Sequence, residues 1–319
     1  MMARKIDHSL LDRAKINKKD EFYTQLADIE RELAHYEKHF RNKTVFCNCD
    51  DVRKSNFYRY FVENFERLGL KKVICACYGK SGRDLFSDGE AAFYYEFTGK
   101  EVKYPSLEDV VYFKGDGDFR SGKSVELLRQ ADIVVSNPPF SLFREYISQL
   151  DRYRKKFLVI GNINAITYKE VFALIRENKV WMGVNMGRGI SGFIVPEDYE
   201  LYGLETKIGD AGERIVSPNN CMWLTNLDNA CRHEFIPLIK EYRGNEATYP
   251  KFDNYDAINV GRTRDIPFDY KGVMGVPITF LHKFNPDQFK IVKFRKGNDE
   301  KDLTVGGKPT YFRILIQSR

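Results

Sequence analysis

The chain has 319 residues, of which 43% are apolar, enough for a substantial core in one large domain or in a large and a small one. No window reaches the ~18 consecutive apolar residues of a membrane span, and Met1 to Lys5 lacks the apolar stretch of a signal peptide, so we expect a cytosolic globular protein. The net charge of +6 permits a polyanionic partner without identifying one.

Basic residues are concentrated near the N-terminus. The basic residues of this stretch are Arg4, Lys5, Arg13, Lys15, Lys18 and Lys19, and the acidic ones are Asp7, Asp12 and Asp20. This excess is typical of a basic arm that lies along phosphates, and it is equally typical of a solvated chain end. Both interpretations stand at this stage.

The six cysteines include two Cys-x-Cys pairs, Cys47 with Cys49 and Cys75 with Cys77. Each pair falls in an apolar run, where residues two apart share one face of a strand. The Cys-x-Cys spacing is tighter than that of structural zinc sites, so we expect small core residues and no bound metal. His35 and His39 lack the surroundings of a metalloprotease motif and are expected at the surface.

Helix and strand patterns alternate along the chain up to about residue 180. In chain order, the patterns predict a helix from Ile29 to Phe40, a strand from Val45 to Cys49, a helix opened by Ser55 and ended by Gly69, strands at Val73 to Cys77 and Val110 to Phe113, a helix from Ser124 to Gln130, a strand from Asp132 to Val135, a helix from Leu142 to Leu150 and a strand from Phe157 to Ile160. The alternation predicts an α/β fold with an open, mostly parallel sheet covered by helices on both faces. Ligands bind such sheets beyond the carboxyl ends of the strands.

The pattern changes after about Trp181, where glycines punctuate a loop-rich region before a predicted strand at Met222 to Thr225. The last ninety or so residues contain short strand-like runs at Val273 to Leu281 and Tyr311 to Ile316. We therefore predict a large domain over residues 1–227 and a smaller one over 228–319.

One stretch carries recognisable chemistry: Ser136-Asn137-Pro138-Pro139-Phe140, directly after the strand at Asp132 to Val135. The exocyclic amine of a nucleobase is a poor nucleophile, and the side-chain carbonyl of Asn137 and the backbone carbonyl of Pro138 can accept its hydrogen bonds. The two prolines fix the backbone, and Phe140 offers a ring on which a flipped base can stack. The simpler interpretation is an ordinary turn at the end of a strand.

Together with further motifs, this stretch resembles the amino-methylating DNA methyltransferases, and within them the EcoRI-type adenine-specific methyltransferases. The further motifs are Asp20-Glu21-Phe22-Tyr23-Thr24-Gln25, Phe46-Cys47-Asn48-Cys49-Asp50-Asp51, Gly115-Asp116-Gly117-Asp118-Phe119 and Gly272-Val273-Met274-Gly275-Val276-Pro277-Ile278-Thr279-Phe280. The resemblance runs almost from end to end. It implies a Rossmann-like S-adenosylmethionine-dependent methyltransferase sheet with a smaller C-terminal target-recognition region, acting on the N6 of adenine in double-stranded DNA.

The resemblance also implies roles for individual residues. The catalytic residues would be Asn137, Pro138, Pro139 and Phe140, and the contacts to S-adenosylmethionine would be Tyr23, Thr24, Cys49, Asp50, Asp51, Asp116, Asp118, Phe119, Ser136 and Asn137. Tyr23 and Thr24 would cover the methionine end of the cofactor. Asp118 looks like the carboxylate on the adenine side, with Asp116 as the competing choice.

Two departures from the family pattern concern the cofactor. Asp50-Asp51-Val52-Arg53 stands where a Gly-x-Gly turn usually follows the first strand, and Cys77-Tyr78 replaces the acidic residue that commonly ends the second. Glycines let a backbone approach a ligand closely, so this loop is expected to follow a different path. The carboxylates needed to meet a cationic sulfonium and amino group are present.

The motif order leaves the sequence after about residue 180 for target recognition, with recognition loops beginning near residue 183. Arg188, Arg262 and Arg264 are candidate DNA contacts because arginine suits guanine edges and phosphates, although solvated loop charges would look the same. The implied partners are double-stranded DNA and a cognate restriction endonuclease, and we expect a monomer.

Other functions share parts of this pattern. Asn-Pro-Pro-aromatic also serves N4 methylation of cytosine and, with tyrosine last, glutamine methylation in release factors. A catalytically silent nucleic-acid-binding module on the same fold would be consistent with the missing glycines.

Overall fold

The computed structural model describes residues 23–79, 91–186, 189–195, 205–209, 212–217 and 220–319. The predicted basic arm and Arg188 lie outside the described residues. The chain divides into two compact units: one contains the described residues up to Phe172 together with Asn185–Leu227, and the other contains Ala173–Val184 and Asp228–Arg319. No helix within the described ranges is long and apolar enough to cross a membrane.

Helices and strands alternate up to Leu227. They are β1 Tyr23–Thr24, α1 Leu26–Leu33, β2 Thr44–Asn48, α2 Asn56–Glu63, α3 Phe65–Leu68, β3 Lys72–Cys77, β4 Phe93–Phe97, β5 Val111–Tyr112, α4 Gly122–Gln130, β6 Ile133–Ser136, α5 Phe143–Arg152, β7 Lys156–Asn162, α6 Lys169–Arg176, β8 Trp181–Met186, β9 Phe193–Val195, β10 Glu205–Ile208, β11 Arg214–Ser217 and β12 Cys221–Thr225. The predicted strands and helices are thus confirmed, with shifted ends.

Among the described residues, eight strands form one sheet in the order β5-β4-β3-β2-β6-β7-β12-β8. The four central strands, β3, β2, β6 and β7, are parallel, whereas β4, β5 and β12 pair antiparallel with their neighbours. The sheet is therefore mixed, and the prediction of a mostly parallel sheet is wrong at its edges. The sequence patterns did not predict β4, which lies between β5 and β3 and alternates buried with half-buried side chains, as is typical of an antiparallel strand.

Capping residues in the sequence account for the start of α2 and the end of α3. The Ser55 hydroxyl caps α2 by accepting a hydrogen bond from the Tyr58 amide at 3.1 Å, and Gly69 ends α3 in the left-handed conformation with φ +60°. The predicted helix from Ile29 to Phe40 is shorter than expected, because α1 ends at Leu33 and a 3₁₀ turn follows at Glu37–His39. Its apolar face is nevertheless retained.

Side chains of both sheet faces are buried under helices. One face carries Cys47 and Cys75, register partners in β2 and β3, within a core that includes residues of α1, α2 and α3. On the other face α5 approaches so closely that a Cβ at Gly161 would lie 2.4 Å from the Phe143 ring. These contacts confirm helices on both faces and identify Cys47 and Cys75 as core residues.

A smaller antiparallel sheet, with the order β1-β9-β11-β10, brings distant parts of the chain together in the same unit. Tyr23 pairs with Ile194, and Thr24 pairs with Phe193. The Gln25 amide side chain extends this pairing by donating to the Ser191 hydroxyl at 2.8 Å and to the Gly192 carbonyl at 3.0 Å.

The second unit contains its own sheet. Its described strands after Asp228 are β13 Ile258–Asn259, β14 Met274–Pro277, β15 Phe289–Phe294, β16 Thr304–Val305, β17 Lys308–Pro309 and β18 Arg313–Ser318. Four of them form a sheet in the order β13-β14-β18-β15, and β16 pairs with β17. The run predicted at Val273 to Leu281 is a strand only to Pro277, after which a 3₁₀ helix continues over Ile278–Lys283.

Candidate active site

The site begins where two central parallel strands end side by side. Because Val45 pairs with Ile133 and Phe46 with Val134, the ends of β2 and β6 are neighbours. The Ser136 hydroxyl lies against the Asn48 carbonyl and within 3.3 Å of Oδ2 of Asp50. The turn after β2 is therefore connected to the residue that precedes Asn137.

Asp50 is the least compensated charge of this site. The pKa of its carboxyl is raised to about 7, chiefly by burial and to a smaller extent by the charge of Asp51, although hydrogen bonds from Ser55 and Ser136 lower it. Within the described part of the chain, no lysine or arginine pairs with it. A buried carboxylate with only hydroxyl partners is suited to receive a cation.

Asp51, in contrast, has a cation of its own. Its two carboxylate oxygens accept hydrogen bonds from Nε and Nη2 of Arg53 at 3.0 and 2.6 Å, and Oδ1 also accepts from the Arg53 amide. Cys49 adopts a positive φ of 63°, a conformation more usual for glycine. The turn therefore follows its path without a Gly-x-Gly sequence: Cys49 makes the left-handed bend, and Asp51 with Arg53 closes it.

A third loop, Asp116 to Phe119, packs against the end of β3. Gly117 has φ +72°, and a Cβ there would lie 2.9 Å from the Cys77 carbonyl oxygen and 2.8 Å from the Ala92 side chain. The Asp116 carboxylate accepts a hydrogen bond from the Asp118 amide at 3.0 Å, and the Asp116 carbonyl accepts one from the Gly79 amide at 2.8 Å.

The side chains of this loop differ in their contacts. Arg120 binds both carboxylate oxygens of Asp118, at 2.8 and 2.6 Å, and its hydrogen bond lowers the pKa of Asp118. Asp116 is exposed. Phe119 is buried, with its ring centroid 5.2 Å from that of Tyr146. Of the two competing aspartates, Asp118 thus carries the stronger neutralising partner.

The surroundings of Cys49 disfavour its thiolate form. Burial raises the pKa of the Cys49 thiol well above its usual value, and the nearby charges of Asp50, Asp118 and Cys77 raise it further. The turn after β2 and the Asp118 loop therefore both contribute negative charge near Cys49, and Cys77 at the end of β3 lies close by. Such an environment favours a positively charged ligand.

The Asn137-Pro138-Pro139-Phe140 segment leaves β6 and enters α5 through a 3₁₀ turn at Phe140–Leu142. Pro138 is buried, while Asn137 and Phe140 are half-buried. The Phe140 ring meets the Phe193 ring edge-on, with centroids 6.3 Å apart. Because Phe193 pairs with Thr24, strand β1 lies beside this segment.

The predicted residues Tyr23 and Thr24 thus occupy the same region as the Asn-Pro-Pro-Phe segment. Thr24 is 3% exposed, its carbonyl accepts a hydrogen bond from the Asn56 amide side chain at 2.9 Å, and its Oγ1 has no hydrogen-bond partner within the described residues. A buried hydroxyl without a partner is costly unless a ligand or water satisfies it.

Sequence reasoning missed several residues of the site. Ser55 was recognised as a helix cap but not as a partner of Asp50. Tyr146 of α5 is fully buried near Asn48 and Ser136, and burial together with the charges of Cys49 and Asp50 raises the pKa of its hydroxyl. Phe193 supports Phe140 from the far end of the unit's sequence. Only the cap of Ser55 leaves a local signal in the sequence.

The remaining candidates lie elsewhere. Arg262 and Arg264 are exposed around the Thr263–Asp265 turn of the second unit, without an ion pair in its described residues. The described ranges contain no group of three metal-ligating side chains. Cys47 and Cys75 lie in the apolar core, and burial raises the pKa values of both thiols well above their usual range.

Comparison with known proteins places these features in a family. A family model described as "Adenine-specific methyltransferase EcoRI" matches residues 10–319. The chain is 61% identical over 324 residues to the Type II methyltransferase M.EcoRI of Escherichia coli, covering 100% of this chain and 99% of that protein. It is 39% identical to M.MgeORF184P of Mycoplasma genitalium, covering 97% of this chain and 98% of that protein, and 35% identical to M.MpnI of Mycoplasma pneumoniae with the same coverage.

No solved structure matches the chain. The family model nevertheless covers nearly the whole sequence, and the relatives match along their full length. The chain therefore belongs to the EcoRI family of adenine-specific methyltransferases.

Proposed function

We propose that this enzyme transfers a methyl group from S-adenosylmethionine to the exocyclic N6 of an adenine flipped out of double-stranded DNA. The observation that carries the proposal is the Asp50–Ser136 contact, which joins a buried carboxylate to the residue before Asn137. That carboxylate has no cationic partner among the described residues. Membership of an adenine-specific methyltransferase family decides against N4 methylation of cytosine, glutamine methylation and a silent binding module.

The residues of the site fit S-adenosylmethionine, which carries a cationic sulfonium and an amino group and supplies an electrophilic methyl group when bound. Asp50 would provide the negative charge, and the buried Thr24 Oγ1 would gain a polar partner. Tyr23, Cys49 and Ser136 would complete the methionine side. Asp51 would act through Arg53, whereas Asp116, Asp118 and Phe119 would form the adenine side.

The adenine would meet the Asn-Pro-Pro-Phe segment. The Asn137 side chain and the Pro138 carbonyl would accept hydrogen bonds from N6 as its lone pair is drawn towards the methyl group. Pro139 restricts the backbone that carries these acceptors, and Phe140, braced by Phe193, would stack on the flipped base.

The larger organisation belongs to the same proposal. Residues 1–227 would form a Rossmann-like catalytic domain with a basic arm, supported by the parallel order β3-β2-β6-β7. Residues 228–319 would form the target-recognition region, with recognition loops beginning near residue 183. Arg188, Arg262 and Arg264 would contact DNA. The relatives are named Type II methyltransferases, and we propose a monomer that acts in the cytoplasm beside a restriction endonuclease of the same specificity.

The central test is Asn137→Ala. We expect turnover to fall by about a hundredfold or more while cofactor affinity stays close to normal, because the lost acceptor acts chiefly in the transition state. Methyl transfer to DNA and equilibrium binding of S-adenosylmethionine would be measured separately. Asn298→Ala, at an exposed asparagine of the second unit, is the control. Ordinary turnover by Asn137→Ala would contradict the assignment.

A further inference from the structure

A column of stacked side chains stands on the surface of the second unit. The Tyr311 and Phe312 rings are stacked, with centroids 5.2 Å apart and an interplanar angle of 23°. The Arg295 guanidinium lies 4.4 Å from the centroid of the Phe312 ring. The Phe294 ring meets Phe312 edge-on at 6.0 Å. Tyr311 is the outermost member, and its side chain is 69% exposed.

The Arg295 side chain that packs on the Phe312 ring is held in a fixed position. Arg295 has a positive φ of 50°, and its guanidinium binds both carboxylate oxygens of Asp302, at 2.8 and 3.0 Å. A non-glycine residue in this conformation carries a conformational cost, which its contacts must offset. The guanidinium is therefore fixed against the Phe312 ring by a bidentate ion pair.

The backbone that carries Tyr311 is pinned as well. On one side, the Thr310 amide donates to the Leu303 carbonyl at 2.8 Å. On the other, Nη1 of Arg313 donates to the Tyr311 carbonyl at 3.2 Å, and Nε donates to the Asn259 side chain at 2.9 Å. A large ring is thus presented to solvent on an ordered support, which lowers the entropy cost of using it to bind.

The charge around the column suits an anionic polymer. From Lys293 to Arg313 there are six basic and three acidic residues, and three of the basic ones pair with Glu300 or Asp302. The excess of three positive charges remains, and Lys308 is exposed on β17. Arg313 has no carboxylate partner within the described part of the unit. Aromatic rings combined with basic residues are the signature of surfaces that stack on nucleobases while holding the phosphates.

We infer that Tyr311 stacks on a nucleobase of the bound DNA whose face is uncovered when the duplex is opened. In an intact duplex each base is covered by its neighbours, and extrusion of the target adenine leaves a gap in the stack. The inference deepens the proposed function and rests on it. Arg295 and Phe312 act as positioning residues because they hold the ring without touching the base.

The test compares Tyr311→Ala, Tyr311→Phe and Tyr311→Trp in the full chain, with duplex DNA that contains the recognition site. A lost stack should weaken DNA binding by about 5- to 100-fold for Tyr311→Ala, whereas the Phe and Trp variants should stay within about threefold of wild type. The dependence of log Kd on log salt should be unchanged, because no phosphate contact is removed. Tyr104→Ala, at a tyrosine that is 59% exposed in the first unit, should bind normally.

A second measurement locates the base. With 2-aminopurine placed in turn at each position of the site, one position should be brighter with Tyr311→Ala than with wild type, because stacking on tyrosine quenches the probe. The inference is overturned if Tyr311→Ala binds like wild type, if Tyr311→Phe loses as much as Tyr311→Ala, or if no position differs. Failure of the proposed function is distinguishable, since wild type itself would then neither bind nor methylate the duplex.

Discussion

At the scale of single residues, the acidic side chains of the site differ in their hydrogen-bond and ion-pair partners. Asp51 and Asp118 each bind an arginine through two oxygens, whereas Asp50 is buried with hydroxyl partners. The sequence predicted that carboxylates follow the first strand, but it could not assign these different roles. Pairing depends on side-chain geometry within the turns, which residue types alone do not determine.

Replacing Asp50 or Asp51 by asparagine should therefore change the stability of the protein in opposite directions. The folded-state pKa of Asp50 is raised from 3.8 to about 7, so the folded protein keeps this proton over a range in which the unfolded chain releases it. Wild type should lose stability as the pH rises from about 4 to 7. Asp50→Asn should lack this loss and be more stable than wild type above pH 7, by at most about 4 kcal/mol.

Urea unfolding at pH 5 and pH 8 would measure this difference. Asp51→Asn is the matched control and should be less stable than wild type by about 1–3 kcal/mol, because it removes the bidentate ion pair between Asp51 and Arg53. Asp50→Asn should also weaken S-adenosylmethionine binding, and wild-type affinity should fall as the pH drops below about 7. Equal stability of Asp50→Asn and wild type at pH 8 would contradict the uncompensated charge.

At the scale of elements, the sequence predicted the central strands well because β2, β3, β6 and β7 are continuous apolar runs. It missed β4, since a strand that alternates buried and half-buried side chains within a polar stretch is not a continuous apolar run. The sequence also predicted a single helix where the structure has α1 followed by a 3₁₀ turn. The reason is that Ile29, Leu33, Tyr36 and Phe40 are all buried on one face. Burial preserves periodicity even where the backbone departs from the α-helix.

The Asp116 to Phe119 loop gives a prediction at this scale. Gly117→Ala should lower the free energy of unfolding by at least about 2 kcal/mol, because alanine is strained at φ +72° and its Cβ would press on the Cys77 carbonyl. The displaced loop should also weaken cofactor binding. Gly115→Ala is the control, since a Cβ there has no atom within 4 Å. Equal effects of the two substitutions in thermal unfolding would refute this packing.

At the scale of the whole molecule, the motifs pointed to the family because they are spread over nearly the full chain. The assembly of the site was less accessible to sequence reasoning. The pairing of β1 with β9, and hence the contact between Phe140 and Phe193, joins segments whose partners no local pattern specifies. Long-range register depends on the completed sheet.

The N-terminal basic residues provide the prediction at this scale. Deleting residues up to Lys15 should weaken binding of specific and unrelated DNA about equally and flatten the salt dependence, because phosphate contacts carry no sequence information. Binding titrations at several salt concentrations would measure both effects. An unchanged slope would mean that this stretch is a solvated chain end.

The pairing of β1 with β9 also bears on how the protein is made. The Gln25 and Ser191 side chains that extend this pairing are 166 residues apart in sequence. At about 5 to 20 residues per second, the ribosome needs about 8 to 33 s to produce that separation. Tyr23 and Thr24 must therefore wait for their partner strand during translation. The sheet of parallel strands can form earlier, so the region around Tyr23 and Thr24 should be among the last parts of this unit to mature.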